Sequence, residues 1–307
     1  MLRCRSIPPL RGMPGRRLAI GTLPGMSAAA GRLGPRVTTT PARRHRITVP
    51  HSPEHFQVVD RSASTPVILH APHGGRAIPP EHLGSFVVSA AELEAEKDAM
   101  TDHFTDTLVG SITGASAVIN GLSRFAIDVE RFPDESEEMN AVGMGVLYTH
   151  GSRRQEIRRV AEADRAPLLA YFAQYSRRFT ELVDATLAVH GRAVIIDVHS
   201  YPEQQLPYEL HGGGPRAPLC VGSEPFHAAE PFLLAVAESF AQLQARANTT
   251  FAGSYVPLKH YQTDDRVSSV MLEIRRDVYM DEATIAVRPN GFLRLQQSLQ
   301  RLVDRVR

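Results

Sequence analysis

Cysteine is nearly missing from this 307-residue chain: Cys4 and Cys220 stand far apart and outside any CxxC pattern. A disulfide framework and a Cys-rich zinc site are thereby excluded, and both thiols are expected to be free. Long apolar runs are missing as well. A membrane-spanning helix needs about 18 or more apolar residues in succession, whereas even the segment from Ala193 to Val198 is only strand-length. An excess of one charge is the third absence, since 34 Lys and Arg face 33 Asp and Glu for a formal +1. That balance removes the electrostatic case for a nucleic-acid or anionic-membrane partner. The chain reads as a soluble, cytoplasmic-type protein that meets a small, neutral or locally anionic molecule.

What is present is enough sequence to bury one large α/β core, so length alone asks for no oligomer. Residues 1–45 are rich in Arg, Pro and Gly and hold only short apolar runs such as Leu18-Ala19-Ile20, without the long apolar stretch of a secretory signal. They are read as a poorly defined N-terminal extension or an early start, with Met13 or Met26 as later starts and a transit-like segment as the alternative. Residues 46–307 are expected to form a single catalytic domain, with neither an internal repeat nor a second-domain boundary.

Val67-Ile68-Leu69-His70 reads as a strand ended by Pro72 and Gly74-Gly75, and Phe86 to Ser89 as a second. A helix is expected from Ala91 to Leu108, then a strand at Ala117 to Ile119 and a loop or short strand from Leu122 to Val129. Arg153 to Val189 suggests two helices broken near Pro167. Ala193 to His199 is the strongest central-strand signal, because near-continuous aliphatic residues suit a sheet covered on both faces. After Gly212-Gly213-Gly214-Pro215 come a strand at Leu219 to Val221, a helix from Ala228 to Ala245, an irregular stretch from Phe251 to Leu258, a strand at Val270 to Arg275 and a last helix from Gly291 to Val306. Strands alternating with helices predict a three-layer α/β/α fold around a mainly parallel or mixed sheet.

Polar residues gather where the apolar strands end: His70 to Gly75, Asp197-Val198-His199-Ser200, and Glu273 with Arg275. In open α/β sheets such strand ends converge on one pocket. His73, in a loop whose glycines allow close backbone approach and unusual dihedrals, and His199, at the end of a buried strand, are the candidate metal ligands; a core or exposed histidine is the alternative for each. Asp197 shares a strand face with His199 and could orient its imidazole from behind. A third ligand should be an acid, since two histidines and a carboxylate leave zinc an open position. Glu92, Glu94, Glu96, Asp98, Asp102 and Asp106 all qualify, and all could equally be a solvated helix face. Glu273, between Leu272 and Ile274, is either catalytic or paired with Arg275 or Arg276. Arg124, Arg131, Arg275 and Arg276 offer forks for a substrate carboxylate.

From His70 to Tyr279 the chain resembles the N-formylglutamate amidohydrolase family. The motifs that carry the resemblance are Pro72-His73-Gly74-Gly75, Thr101-Asp102, Ser123 to Arg131, Asp197-Val198-His199-Ser200 and the Glu273 segment. The resemblance implies a phosphorylase/hydrolase-like, zinc carboxypeptidase-like core. It also implies zinc held by His73, Asp102 and His199, with Glu273 as general base and acid and Arg124 and Arg131 at the substrate. The implied activity is zinc-dependent hydrolysis of an N-formyl or N-acyl amino acid with a free carboxylate, such as N-formylglutamate. Zinc carboxypeptidase or other N-acyl-amino-acid hydrolase chemistry is the runner-up, and a catalytically silent metal- or ligand-binding protein is the rival of another class. Two departures from the family pattern stand out. Asp-Leu-Asn-Arg-Pro has become Asp128-Val129-Glu130-Arg131-Phe132-Pro133, and Gly253-Ser254-Tyr255 only loosely matches a Gly-Gly-Tyr loop.

Overall fold

The computed structural model describes residues 55–211 and 214–307. Cys4, residues 1–45 and the Gly212-Gly213 pair, each singled out above, lie outside the described residues. The aliphatic runs become strands: β1 (Phe56–Val59), β2 (Val67–Ala71), β3 (Ser116–Asn120), β4 (Ala193–Tyr201), β5 (Leu219–Gly222), β6 (Ala245–Ala247) and β7 (Val267–Arg275). They form one seven-stranded sheet in the order β1-β3-β2-β4-β7-β5-β6. Pairing is parallel from β3 through β2 and β4 to β7, and antiparallel where β1 meets β3 and β5 meets β7, so the sheet is mixed. A small antiparallel ribbon joins β8 (Met280–Asp281) to β9 (Ala286–Val287).

Among the described residues there are five α-helices, α1 (Ala90–Met100), α2 (Thr105–Gly110), α3 (Glu162–His190), α4 (Glu230–Ser239) and α5 (Pro289–Val306), of which α2, α3, α4 and α5 cover the sheet. One sheet face presents Val67, Leu69, Val194, Ile196, Val198, Val270, Leu272 and Ile274, which pack with Leu108 of α2, Phe232 and Val236 of α4, and Leu295, Leu299 and Leu302 of α5. The other presents Ile68, Val118, Ile195 and Val267 to Tyr175, Phe179, Leu182 and Val183 of α3. Burial of such aliphatic side chains contributes about 1.5–3 kcal/mol each, and apolar cover on both faces is what the unbroken run in β4 requires. The expected three-layer α/β/α architecture is therefore observed.

Several local expectations are corrected. Phe86 to Ser89 is not a strand. Phe86 makes a single bridge to Arg158, and Ser89 caps α1 in a reciprocal capping box with Glu92. The helix expected from 91 to 108 is two helices, because the chain leaves α1 at Thr101 in an extended conformation and passes Phe104 at φ 65° before α2. Residues 153–161 are irregular, and α3 runs unbroken through Pro167. Pro167 lies near the exposed start of that helix, where the Ala163 carbonyl it leaves without a helical donor can turn to water. The helix α4 stops at Ser239, short of 245, and the chain then forms β6.

The glycines after His73 serve close approach rather than unusual dihedrals, since neither is among the positive-φ residues. A Cβ on Gly75 would lie 2.3 Å from the Gly121 carbonyl carbon, whereas Gly84 has open space around it. Gly75→Ala is therefore expected to cost about 1–3 kcal/mol by overpacking, and Gly84→Ala less than about 0.5 kcal/mol. Urea melts of the two variants check this, and equal stabilities would contradict the packing argument.

Candidate metal centre

In parallel register, His70 lies beside Asp197 and His199 beside Glu273. Alternation then puts all four on the α3-side face of the sheet, continuing the rows begun by Ile68, Ile195 and Val267. Each row turns from apolar to polar near its carboxyl end, while the opposite face stays aliphatic. The sheet thus concentrates its titratable groups at one end of one face.

Loops complete the cluster. His73 follows β2 directly, and its carbonyl accepts the backbone N–H of Asp102 at 3.0 Å. The hydroxyl and N–H of Thr105 both donate to the Asp102 carbonyl, so the break between α1 and α2 has its own hydrogen bonds and presents Asp102 to His73. Asp128 comes from the buried segment after β3 and stands 2.8 Å from Nε2 of His73. The resulting separations are 3.3 Å between the Nδ1 atoms of His73 and His199, 3.0 Å from His199 Nδ1 to Asp102 Oδ2, and 3.9 Å from His73 Nδ1 to the same oxygen.

These three atoms suit a metal ion on chemical grounds. Nε2 of His73 faces Asp128, and Nε2 of His199 faces Asp197 at 3.0 Å and Glu130 at 3.1 Å. The hydrogen bond to Asp128 favours a proton on Nε2 of His73, and the charges of Asp197 and Glu130 favour one on Nε2 of His199, which leaves both Nδ1 lone pairs on the inner side, beside Asp102. Donors about 2.0–2.2 Å from a tetrahedral ion sit about 3.3–3.6 Å from one another, close to what is observed. His73, Asp102 and His199 are all buried. Burial, and then the charge of Arg124, lowers the pKa of His73. For His199 burial also favours the neutral ring, but Asp197 and Glu130 outweigh it and raise the pKa well above the ordinary value. A cation at the shared point would take the place of that proton.

Glu273 is buried beside this trio, and its Oε2 has no hydrogen-bond partner among the described residues. Burial pushes its pKa up to about 8, the attraction of His199 notwithstanding. Arg124 donates to Asp102 Oδ1 at 3.2 Å. Arg131 reaches Asp128 Oδ2 at 3.3 Å and donates to the Tyr148 hydroxyl at 3.2 Å.

Among the sequence candidates, His73, Asp102, His199, Asp197, Glu273, Arg124 and Arg131 are brought together. Arg275 is not. Its guanidinium is held by Asp277 at 2.7 and 3.1 Å and by the Arg216 carbonyl, and its neighbour Arg276 is the one that comes within 3.9 Å of Asp102. The other acids have separate duties. Glu92 caps α1, Glu94 and Asp98 pair with Arg76, and Glu96 accepts from Ser152 and Gln155. Two participants were not assigned a role from sequence, His70 and Asp128, while Glu130, read from sequence as an acid beside Arg131, turns instead to the histidines. Asp128 lay inside a recognised motif, and His70 shares the strand-face alternation that singled out Asp197. Only the three-dimensional approach of Glu130 to His70, His73 and His199 reveals its place.

The sequence profile of N-formylglutamate amidohydrolase matches residues 65–280. In structure the chain is similar to an N-formylglutamate amidohydrolase from Ralstonia eutropha JMP134, with a TM-score of 0.70 at 20% identity over 82% of this chain and 97% of that one. It is also similar to a gene product from Agrobacterium tumefaciens, with a TM-score of 0.58 at 19% identity over 80% of this chain and 94% of the other. At these identities the structural likeness speaks for the fold alone. No curated protein matches the chain. The profile match runs from just before β2 to the first residue of β8, takes in every residue of the cluster, and extends over well more than half the sequence, so the chain belongs to the N-formylglutamate amidohydrolase family.

Proposed function

We propose that the protein is a zinc-dependent amidohydrolase that cleaves an N-formyl or N-acyl amino acid carrying a free carboxylate, with N-formylglutamate as the first substrate to test. The observation that carries this reading is the convergence of His73 Nδ1, His199 Nδ1 and Asp102 Oδ2 beside the unpartnered oxygen of Glu273. Those three residues would hold the zinc, which when bound polarises a carbonyl and lowers the pKa of water to about 7.

The chain's own groups account for the proton transfers and the binding. Glu273 would take a proton from the attacking water at Oε2 and return it to the nitrogen of the departing amine. A carboxyl whose environment holds it near neutrality can serve in both directions. Asp128 holds the His73 imidazole by a hydrogen bond, and the charge of Asp197, 3.0 Å from Nε2 of His199, favours the proton on that nitrogen. Arg124 donates to Asp102 and Arg131 to the Tyr148 hydroxyl, and Arg131 is the more exposed of the two. Arg131 is therefore the better fork for the substrate carboxylate.

Glu273→Gln is expected to bind zinc as the wild type does and to lose about 10²–10⁴-fold in kcat, as removal of a general base does. Full turnover by a zinc-loaded Glu273→Gln protein would overturn that role. Arg131→Lys should raise KM for an N-acyl amino acid far more than for its neutral ester, measured side by side. Equal losses on acid and ester would remove Arg131 from carboxylate recognition.

A further inference from the structure

Behind His199 lies a second group of donors. His70 Nδ1 is 3.0 Å from Asp197 Oδ1 and 3.3 Å from Glu130 Oε1, and His70 is wholly buried. These distances are short enough for hydrogen bonds, yet His70 Nδ1, Asp197 Oδ1 and Glu130 Oε1 all lack a hydrogen-bond partner among the described residues, because the contacts fail in direction. His199 Nε2, facing the same two carboxylates, is unpartnered too. A hydrogen bond puts its acceptor close to the N–H axis. Coordination puts the ion on that axis, about 2.0–2.1 Å out, and the other ligands around the ion and hence off the axis. Buried atoms that crowd together without hydrogen-bond direction match the second arrangement.

We propose that His70 Nδ1, Glu130 Oε1 and Asp197 Oδ1 form a second site for a divalent transition cation, separated from the first by the His199 ring. The far side of His70 is prepared for this. Its Nε2 stands 2.6 Å from the buried Tyr175 hydroxyl, which can accept the ring proton and leave the Nδ1 lone pair free. Glu130 is also held in place, its backbone N–H donating to Asp128 Oδ1 at 3.1 Å, the oxygen that stands 2.8 Å from His73. One imidazole with two carboxylates is a donor set suited to zinc or manganese. A neutral amide at position 130 would leave the site with a single carboxylate, so the acid that departs from the family pattern is the residue that makes it.

The test is the number of zinc ions retained per chain after stripping with chelator, reloading with Zn²⁺ and gel filtration. Full-length wild type, Glu130→Gln, His70→Asn and Asp102→Asn are compared, each checked for fold by circular dichroism. Two equivalents in the wild type, falling to one in Glu130→Gln and His70→Asn and to one in Asp102→Asn, is the expected result. A single equivalent that survives Glu130→Gln and His70→Asn but is lost in Asp102→Asn would overturn the second site and leave the first intact. A single equivalent with the reverse pattern would support the site proposed here and remove the ion from His73, Asp102 and His199.

Discussion

Carboxylates on the outer nitrogens of two histidines are the constraint on which the site depends. A hydrogen bond to Asp128 at Nε2 of His73 and the charge of Asp197 close to Nε2 of His199 favour protons on those nitrogens, and with them decide which lone pairs face inward. Without those contacts each imidazole could flip or change tautomer, and the three inner atoms would no longer present lone pairs to one point. The loops obey the same requirement. The break between α1 and α2 exists where the Asp102 N–H reaches the His73 carbonyl, so the acid and the histidine are positioned by one hydrogen bond.

The second constraint is charge. Asp102, Asp128 and Asp197 are buried and Glu130 is nearly so, and burial alone would keep them neutral. Arg124 and the histidines hold Asp102 below its usual range, and His73 and Arg131 do the same for Asp128. Glu273 lacks a direct partner of this kind among the described residues and is the carboxyl pushed the other way. Neighbouring acids with pKa values driven apart can take separate parts, some as fixed anions that bind a cation and one as a proton carrier.

Much of this was legible in the sequence, for physical reasons. The alternation of Val194, Ile196 and Val198 with Ile195, Asp197 and His199 encodes a strand covered on both faces whose polar row begins at its end, and the register of β4 follows it. Other features depend on contacts between distant segments. No glycine or proline marks the break at Thr101 to Phe104, because the hydrogen bond from Asp102 to His73 stabilises it from outside the segment. Pro167 reads as a breaker, but near an exposed helix start it costs little. Arg275 and Arg276 are adjacent and alike in sequence, and only the place of Asp277 shows which of them is tied away from the cluster.

The central claim is that zinc sits on Nδ1 of His73, Nδ1 of His199 and Oδ2 of Asp102, and a crystal structure of the zinc-loaded protein with anomalous data across the zinc edge tests it most directly. The account predicts an anomalous peak within about 2.0–2.2 Å of all three atoms, with Nε2 of His73 still facing Asp128. A peak bound through either Nε2 atom, or none near Asp102, would contradict it.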